Sequence, residues 1–93
     1  MPIPLFGMII RQFRLLILAR DVLDQNGRTA EIEKALKVHP FVAGKVEKQA
    51  SLFNMSQLKE IFHRLLNTDE AMKTGQMEPK IAIEMFVSQL STI

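Results

Sequence analysis

At 93 residues the chain is long enough for one shared hydrophobic core and too short for two. Apolar residues make up 47% and charged residues 24%, a globular balance that excludes a disordered chain. The absence of cysteine excludes a disulfide scaffold, a cysteine-ligated zinc site and thiol catalysis, and a net charge of +2 permits nucleic-acid contact without arguing for it.

The first predicted helix runs from about Ile3 or Pro4 to Gln25. Proline suits a first helical turn, where no amide donor is needed. Phe6, Ile9, Ile10, Phe13, Leu16, Ile17 and Leu23 recur at three- and four-residue steps. Ile3, Leu5, Met8, Leu15 and Leu18 widen that stripe, leaving Arg11, Arg14, Asp21 and Gln25 as the polar line. Asn26-Gly27 is the stop, with Gly27 expected in the left-handed region. The same helix holds the most apolar stretch, Met8 to Ala19, but Arg11, Gln12 and Arg14 interrupt it, so it does not read as a membrane span. The opening MPIPLFG lacks the basic region and cleavage site of a signal peptide, and the expected location is the cytoplasm, with no membrane partner.

A short second helix is expected over Thr29–Lys37, with Thr29 as N-cap and Glu31 and Glu33 favoured by the helix dipole. The third starts at Pro40 after the Val38-His39 bend, turning Val42, Val46, Ala50 and Phe53 inward and Lys45, Glu47, Lys48 and Gln49 outward. Gly44 inside it costs about 1 kcal/mol relative to alanine, which suggests a closely approaching neighbour. The fourth follows Asn54-Met55 with Ser56 as cap. Its stripe of Leu58, Ile61, Phe62, Leu65, Leu66 and Met72 lasts through Lys73, and Gly75 ends it. The fifth runs from Pro79 to about Leu90 with a polar line of only Lys80, Glu84 and Ser88. No segment alternates with period two. The expected fold is all-α, a compact bundle of five helices in a single domain over residues 1–93. The first and fifth helices carry more apolar width than such a bundle covers, which points to burial against partner chains.

The chemical motifs are mostly absent. No glycine precedes Lys73-Thr74 at phosphate-loop spacing, and the pair sits at a helix end, whereas a phosphate loop opens a helix. No ATP binding or hydrolysis is expected. Asp69 and Lys73 form an acid-first i,i+4 pair worth a few tenths of a kcal/mol, a structural role. His39 and His63 have no ligand-spaced partners, so no metal or cofactor is expected. His39 reads as a local packing or capping residue, and His63 falls on a polar face. Ser51, Ser56 and Ser88 lack an activating neighbour, and no carboxylate pair is placed for general acid–base work. The chain is therefore not expected to be an enzyme.

Residues 29–50 read helix, bend, helix, as in a DNA-binding helix-turn-helix. A recognition helix presents polar side chains at its start, and this one starts Pro40-Phe41-Val42-Ala43, which reads as packing. Phe41 is therefore expected at the junction of the second and third helices. Arg11/Arg14 and Lys45/Lys48 are i,i+3 basic pairs that could touch phosphate or a partner, but a solvated helix face is the better explanation of them. A stand-alone nucleic-acid-binding domain of this type is the alternative reading.

RQFRLLILAR at 11–20, the His39-Pro40-Phe41 triplet and DEAMKTG at 69–75, the last holding Asp69, Lys73 and Gly75, stand in an order and spacing that resembles the C-terminal domain of the bacterial DNA polymerase III delta subunit. The segments TAEIEKALKVHPFVAGKVEKQA and SQLKEIFHRLL between them fit the same pattern, from about Phe6 to Leu90. Leu66-Asn67-Thr68 departs from it, since a smaller apolar residue is expected near Asn67. The resemblance implies the helical collar domain of a clamp-loader subunit, at the C-terminus of a longer three-domain protein whose N-terminal domain is of the AAA+ type. It implies gamma/tau and delta prime subunits as partners through the collar, with the sliding clamp and primer-template DNA reached only through the whole complex. It also implies no functional ATP site, a bacterial cytoplasmic setting and a parent holoenzyme that is a DNA-directed DNA polymerase.

Overall fold

The computed structural model describes residues 4–90. Five helices account for nearly all of them: α1 (Pro4–Asp24), α2 (Thr29–Leu36), α3 (Pro40–Ala50), α4 (Met55–Lys73) and α5 (Pro79–Leu90). There is no strand among the described residues. The element order and type follow the apolar periodicity, and Pro40 and Pro79 each open a helix as their missing amide favours. A start of α1 at Ile3 lies outside the described residues.

Helix ends differ from the sequence reading where backbone geometry decides. The left-handed residue after α1 is Asn26, with φ of 67°, and not Gly27. Gly27 is needed for a different reason. Its amide bonds the Val22 carbonyl at 2.8 Å, and a Cβ there would meet the Val22 side chain and stand 3.0 Å from the Val22 oxygen. Arg28, not Thr29, is the N-cap of α2, and its backbone N–H donates to the Glu31 carboxylate at 2.6 Å. Thr29 is instead inside the helix, with its hydroxyl bonded to Glu47 of α3. Helix α4 begins two residues earlier than a Ser56 cap implies, because Asn54 is its cap. The Asn54 side chain accepts from the Gln57 amide at 2.8 Å, and the Gln57 side chain accepts from the Asn54 amide at 2.9 Å. Gly75 closes α4 in the left-handed region at φ 75°, as expected.

The inward face of α3 is also rotated from the expected one. Ala43, Val46 and Ala50 are buried while Val42 is exposed. Small residues at 43 and 50 let α3 lie close against α1 and α2. Nothing lies within 4 Å of a Cβ built on Gly44, so the neighbour expected there is absent.

The helices enclose two apolar clusters arranged along α1. Leu16 and Ala19 of α1 pack with Ile32, Ala43, Val46, Ala50 and Leu58, joining α2, α3 and the start of α4. Phe6 and Ile10 pack with Ile61, Leu65, Met72, Ala82 and Phe86, joining α4 and α5. Phe13 and Phe53 border both clusters, with their rings edge to face at 6.4 Å. A helix of this length spans about 30 Å, and the molecule is correspondingly drawn out to 42 × 26 × 16 Å. At interaxial distances of about 8–10 Å, the thin dimension holds at most two helix layers, so every helix keeps an outward side.

Candidate functional site

Three surfaces hold the residues singled out from the sequence, and they lie on different elements. The first is a groove between the start of α1 and the middle of α5. It is lined by Leu5, Phe6, Ile9, Ile83, Phe86 and Val87, an apolar set without a charged member. Phe6 and Phe86 form its floor, with rings edge to face at 6.0 Å. Leu5 (63% exposed) and Val87 (59% exposed) form its rims. Met8, Ile81 and Met85 extend the exposed apolar surface on the same two helices. The sequence-based expectation of excess apolar width on these helices therefore holds side chain by side chain.

The second surface is the outer stripe of α3. Phe41 is 66% exposed, which corrects the expectation that it packs between α2 and α3. The physical reason is the cap. His39 sits in extended conformation before Pro40, and its Nδ1 accepts from the Phe41 amide at 3.0 Å. That geometry fixes the first turn so that Ala43, not Phe41, meets the core. The Lys45 ammonium covers the Phe41 ring at 4.7 Å from its centroid, and Lys48 continues the stripe one turn on. Leu52, just past the helix, is also exposed.

The third surface lies where α1 crosses α4. Arg14, Asp69 and Lys73 share a shallow cleft with Pro4, Gly7 and Leu66. Lys73 pairs with Asp69 at 2.7 Å in the expected i,i+4 arrangement, and the Arg14 guanidinium lies 6.0 Å from the Phe62 ring centroid. Arg11 is exposed on the next turn. Arg11 and Arg14 thus stand on α1, and Lys45 and Lys48 on α3. His63 is exposed on α4, as its polar-face position suggests.

Three interactions that hold these surfaces in place are not legible from the sequence. The Arg20 guanidinium donates to the Phe53 carbonyl at 3.2 Å and the Ala50 carbonyl at 3.4 Å, and pairs with Asp24 at 2.9 Å. Gln12 of α1 bonds Gln49 of α3 at 2.6 Å, and Thr29 bonds Glu47. Only the i,i+4 spacing of Arg20 and Asp24 gives any local signal. Among the described residues no group of three His, Asp or Glu side chains is placed to hold a metal ion. Among them also, no helix is long and apolar enough to cross a membrane.

These surfaces belong to a known domain. The family model for the DNA polymerase III delta subunit, C-terminal domain, matches residues 1–90. DNA polymerase III subunit delta of Bacillus subtilis (strain 168) is 35% identical over 89 residues, covering 96% of this chain and 26% of that protein. The solved structure of the Bacillus subtilis DNA clamp loader delta protein superposes with a TM-score of 0.86 at 33% identity, over 95% of this chain and 26% of that one. The chain therefore spans about a quarter of the length of these relatives. On the family match and the shared fold, the chain belongs to the family formed by the C-terminal domains of DNA polymerase III delta subunits.

Proposed function

We propose that this domain is the collar, or oligomerisation, part of a clamp-loader delta subunit in the bacterial cytoplasm, and that it supports loading of the sliding clamp during DNA replication. Family membership supports the setting, and one observation carries the assembly role: the wholly apolar α1–α5 groove with its exposed rims. Exposed apolar surface of this kind is unfavourable in water by about 25 cal/mol per Å², and burial against another subunit offsets that cost. The partners are the gamma/tau and delta prime subunits. The sliding clamp and primer-template DNA are engaged by the complex, whose polymerase activity resides in other chains. The remainder of a longer three-domain protein, including an AAA+ type domain, supplies what this domain lacks. Mixing the chain with the other loader subunits and following co-elution tests the assembly role, and a failure to associate argues against it.

A second reading rests on a separate observation, the exposed Phe41 ring beneath Lys45. An exposed aromatic with Lys45 against it and Lys48 farther along the same stripe suits single-stranded nucleic acid, with a base on the ring and phosphates near the two lysines. Salt-dependent binding of a labelled oligonucleotide that falls on Phe41→Ala or Lys45→Gln supports this reading. Binding that ignores both substitutions removes it.

A further inference from the structure

We infer that α5 is a separately opening unit, which leaves and re-enters its seat while α1 to α4 stay folded. The apolar groove it forms with α1 is then present only in the seated state. Such opening goes beyond the assembly role and does not depend on it.

The packing is uneven. Helix α1 packs extensively against α2, α3 and α4, whereas the extensive packing of α5 is with α4 alone. Of its twelve residues only Ala82 and Phe86 are buried, whereas α3 buries three residues in eleven. Seating α5 gains little from its remaining apolar residues, because Ile81, Met85 and Val87 stay exposed in the seated state. The gain comes from packing Phe86, Ala82 and the half-buried Ile83 against Phe6, Ile10, Ile61, Leu65 and Met72, and it includes the bond from the half-buried Arg64 guanidinium to the Gln89 carbonyl at 3.1 Å. Opposing it is the conformational entropy of a twelve-residue helix, which is marginal in water without a docking face.

One of the two apolar clusters keeps every member when α5 leaves. The cluster around Leu16, Ala19, Ile32, Ala43, Val46, Ala50 and Leu58 contains no α5 residue. Phe6 and Ile10 of α1 still have Ile61 and Leu65 of α4 in their own cluster. The connection over residues 74–78 is short and non-helical, and Gly75 within it holds a positive φ of 75°. Opening at that joint breaks no packing in the α1–α3 half. Local opening of this kind is expected where buried apolar contacts are few.

Hydrogen exchange read by mass spectrometry on the 93-residue chain tests this. Amides of α5 are expected to exchange at least about ten-fold faster than those at the centre of α4, residues 58–65. Phe86→Ala is expected to speed α5 exchange by about a further hundred-fold or more while leaving residues 16–22 and 43–50 unchanged. Ile83→Ala, a smaller change at the edge of the same cluster, is expected to act in the same direction. Exchange of α5 in step with α4 overturns the inference. So does an equal loss of protection in all five helices in both variants.

Discussion

The Lys45 ammonium sits 4.7 Å from the centre of the Phe41 ring, one turn along α3, and the pair faces solvent. A buried phenylalanine truncated to alanine costs about 3–5 kcal/mol, but this ring is exposed and its loss leaves no cavity. Phe41→Ala is therefore expected to change stability by no more than about 1 kcal/mol, the worth of an exposed cation–π contact. Thermal unfolding of the variant checks this, and a loss of about 3 kcal/mol would place the ring in the core.

Arg20 carries a different weight. Its guanidinium satisfies the carbonyls of Ala50 and Phe53, at the end of α3 and in the connection to α4. Hydrogen bonds to a charged group contribute about 1.5–3 kcal/mol, so Arg20→Met is expected to destabilise the domain by that amount. Asp24 is half-exposed and pairs with Arg20 at the surface, so Asp24→Asn is expected to cost under about 1 kcal/mol. Denaturant titration of both variants and the double variant separates the two effects. Equal costs would show that the ion pair, not the carbonyl clamp, is what matters.

How much of the fold and its surfaces is legible depends on whether the cause is local. Apolar spacing locates all five helices, and Pro40, Pro79 and Gly75 mark three of their ends, since each acts through its own backbone. The caps differ by one or two residues from the sequence reading because several polar residues stand side by side. Thr29 competes with Arg28 and Ser56 with Asn54, and the outcome follows from which carboxylate or amide lies three residues on. Phe41 departs from the reading because apolar character does not by itself dictate burial. Its orientation follows from the His39 cap and from the small Ala43, which lets α3 turn that side inward. The α1–α5 groove is foreshadowed as excess apolar width, although its pairing of Leu5 and Ile9 with Ile83 and Val87 requires the tertiary fold. The Arg20 clamp joins residues 30 and more apart, and no local pattern announces it.

The two α4 cap assignments make opposite predictions. Asn54→Ala removes the acceptor for the Gln57 amide and is expected to cost about 1 kcal/mol. Ser56→Ala sits inside the first turn and is exposed, so its effect is expected within about 0.5 kcal/mol. Chemical denaturation distinguishes them, and a larger cost at Ser56 would return the cap to that residue.

Gly44 and Gly27 form a second contrasting pair. Gly44 is mid-helix with nothing near its absent Cβ, so Gly44→Ala is expected to stabilise by about 0.5–1 kcal/mol through helix propensity. Gly27→Ala drives a methyl into Val22 and close to its carbonyl oxygen, and is expected to destabilise by about 1–3 kcal/mol. A Gly27→Ala variant that melts no lower than the parent would contradict the geometry of the α1–α2 turn, and a Gly44→Ala variant that melts lower would contradict the open space at Gly44.

Leu5 and Val87 stand on the two rims of the α1–α5 groove and are mostly exposed in the domain itself, so a charge at either position disturbs no buried contact. Leu5→Asp and Val87→Asp are each expected to leave the helical content and melting temperature nearly unchanged. If the groove is where another loader subunit seats, each substitution forfeits the burial of a large aliphatic side chain, about 1.5–3 kcal/mol, and adds an unpaired carboxylate to an apolar contact. Association is then expected to weaken by at least about ten-fold for each variant and to be lost in the double variant, since about 1.4 kcal/mol is a factor of ten. Phe41→Ala, on the outer stripe of α3, serves as the control and is expected to assemble normally. Co-elution and affinity measurements with the other loader subunits check this. Normal assembly by the double variant, with its fold intact, would move the interface to another face of the domain.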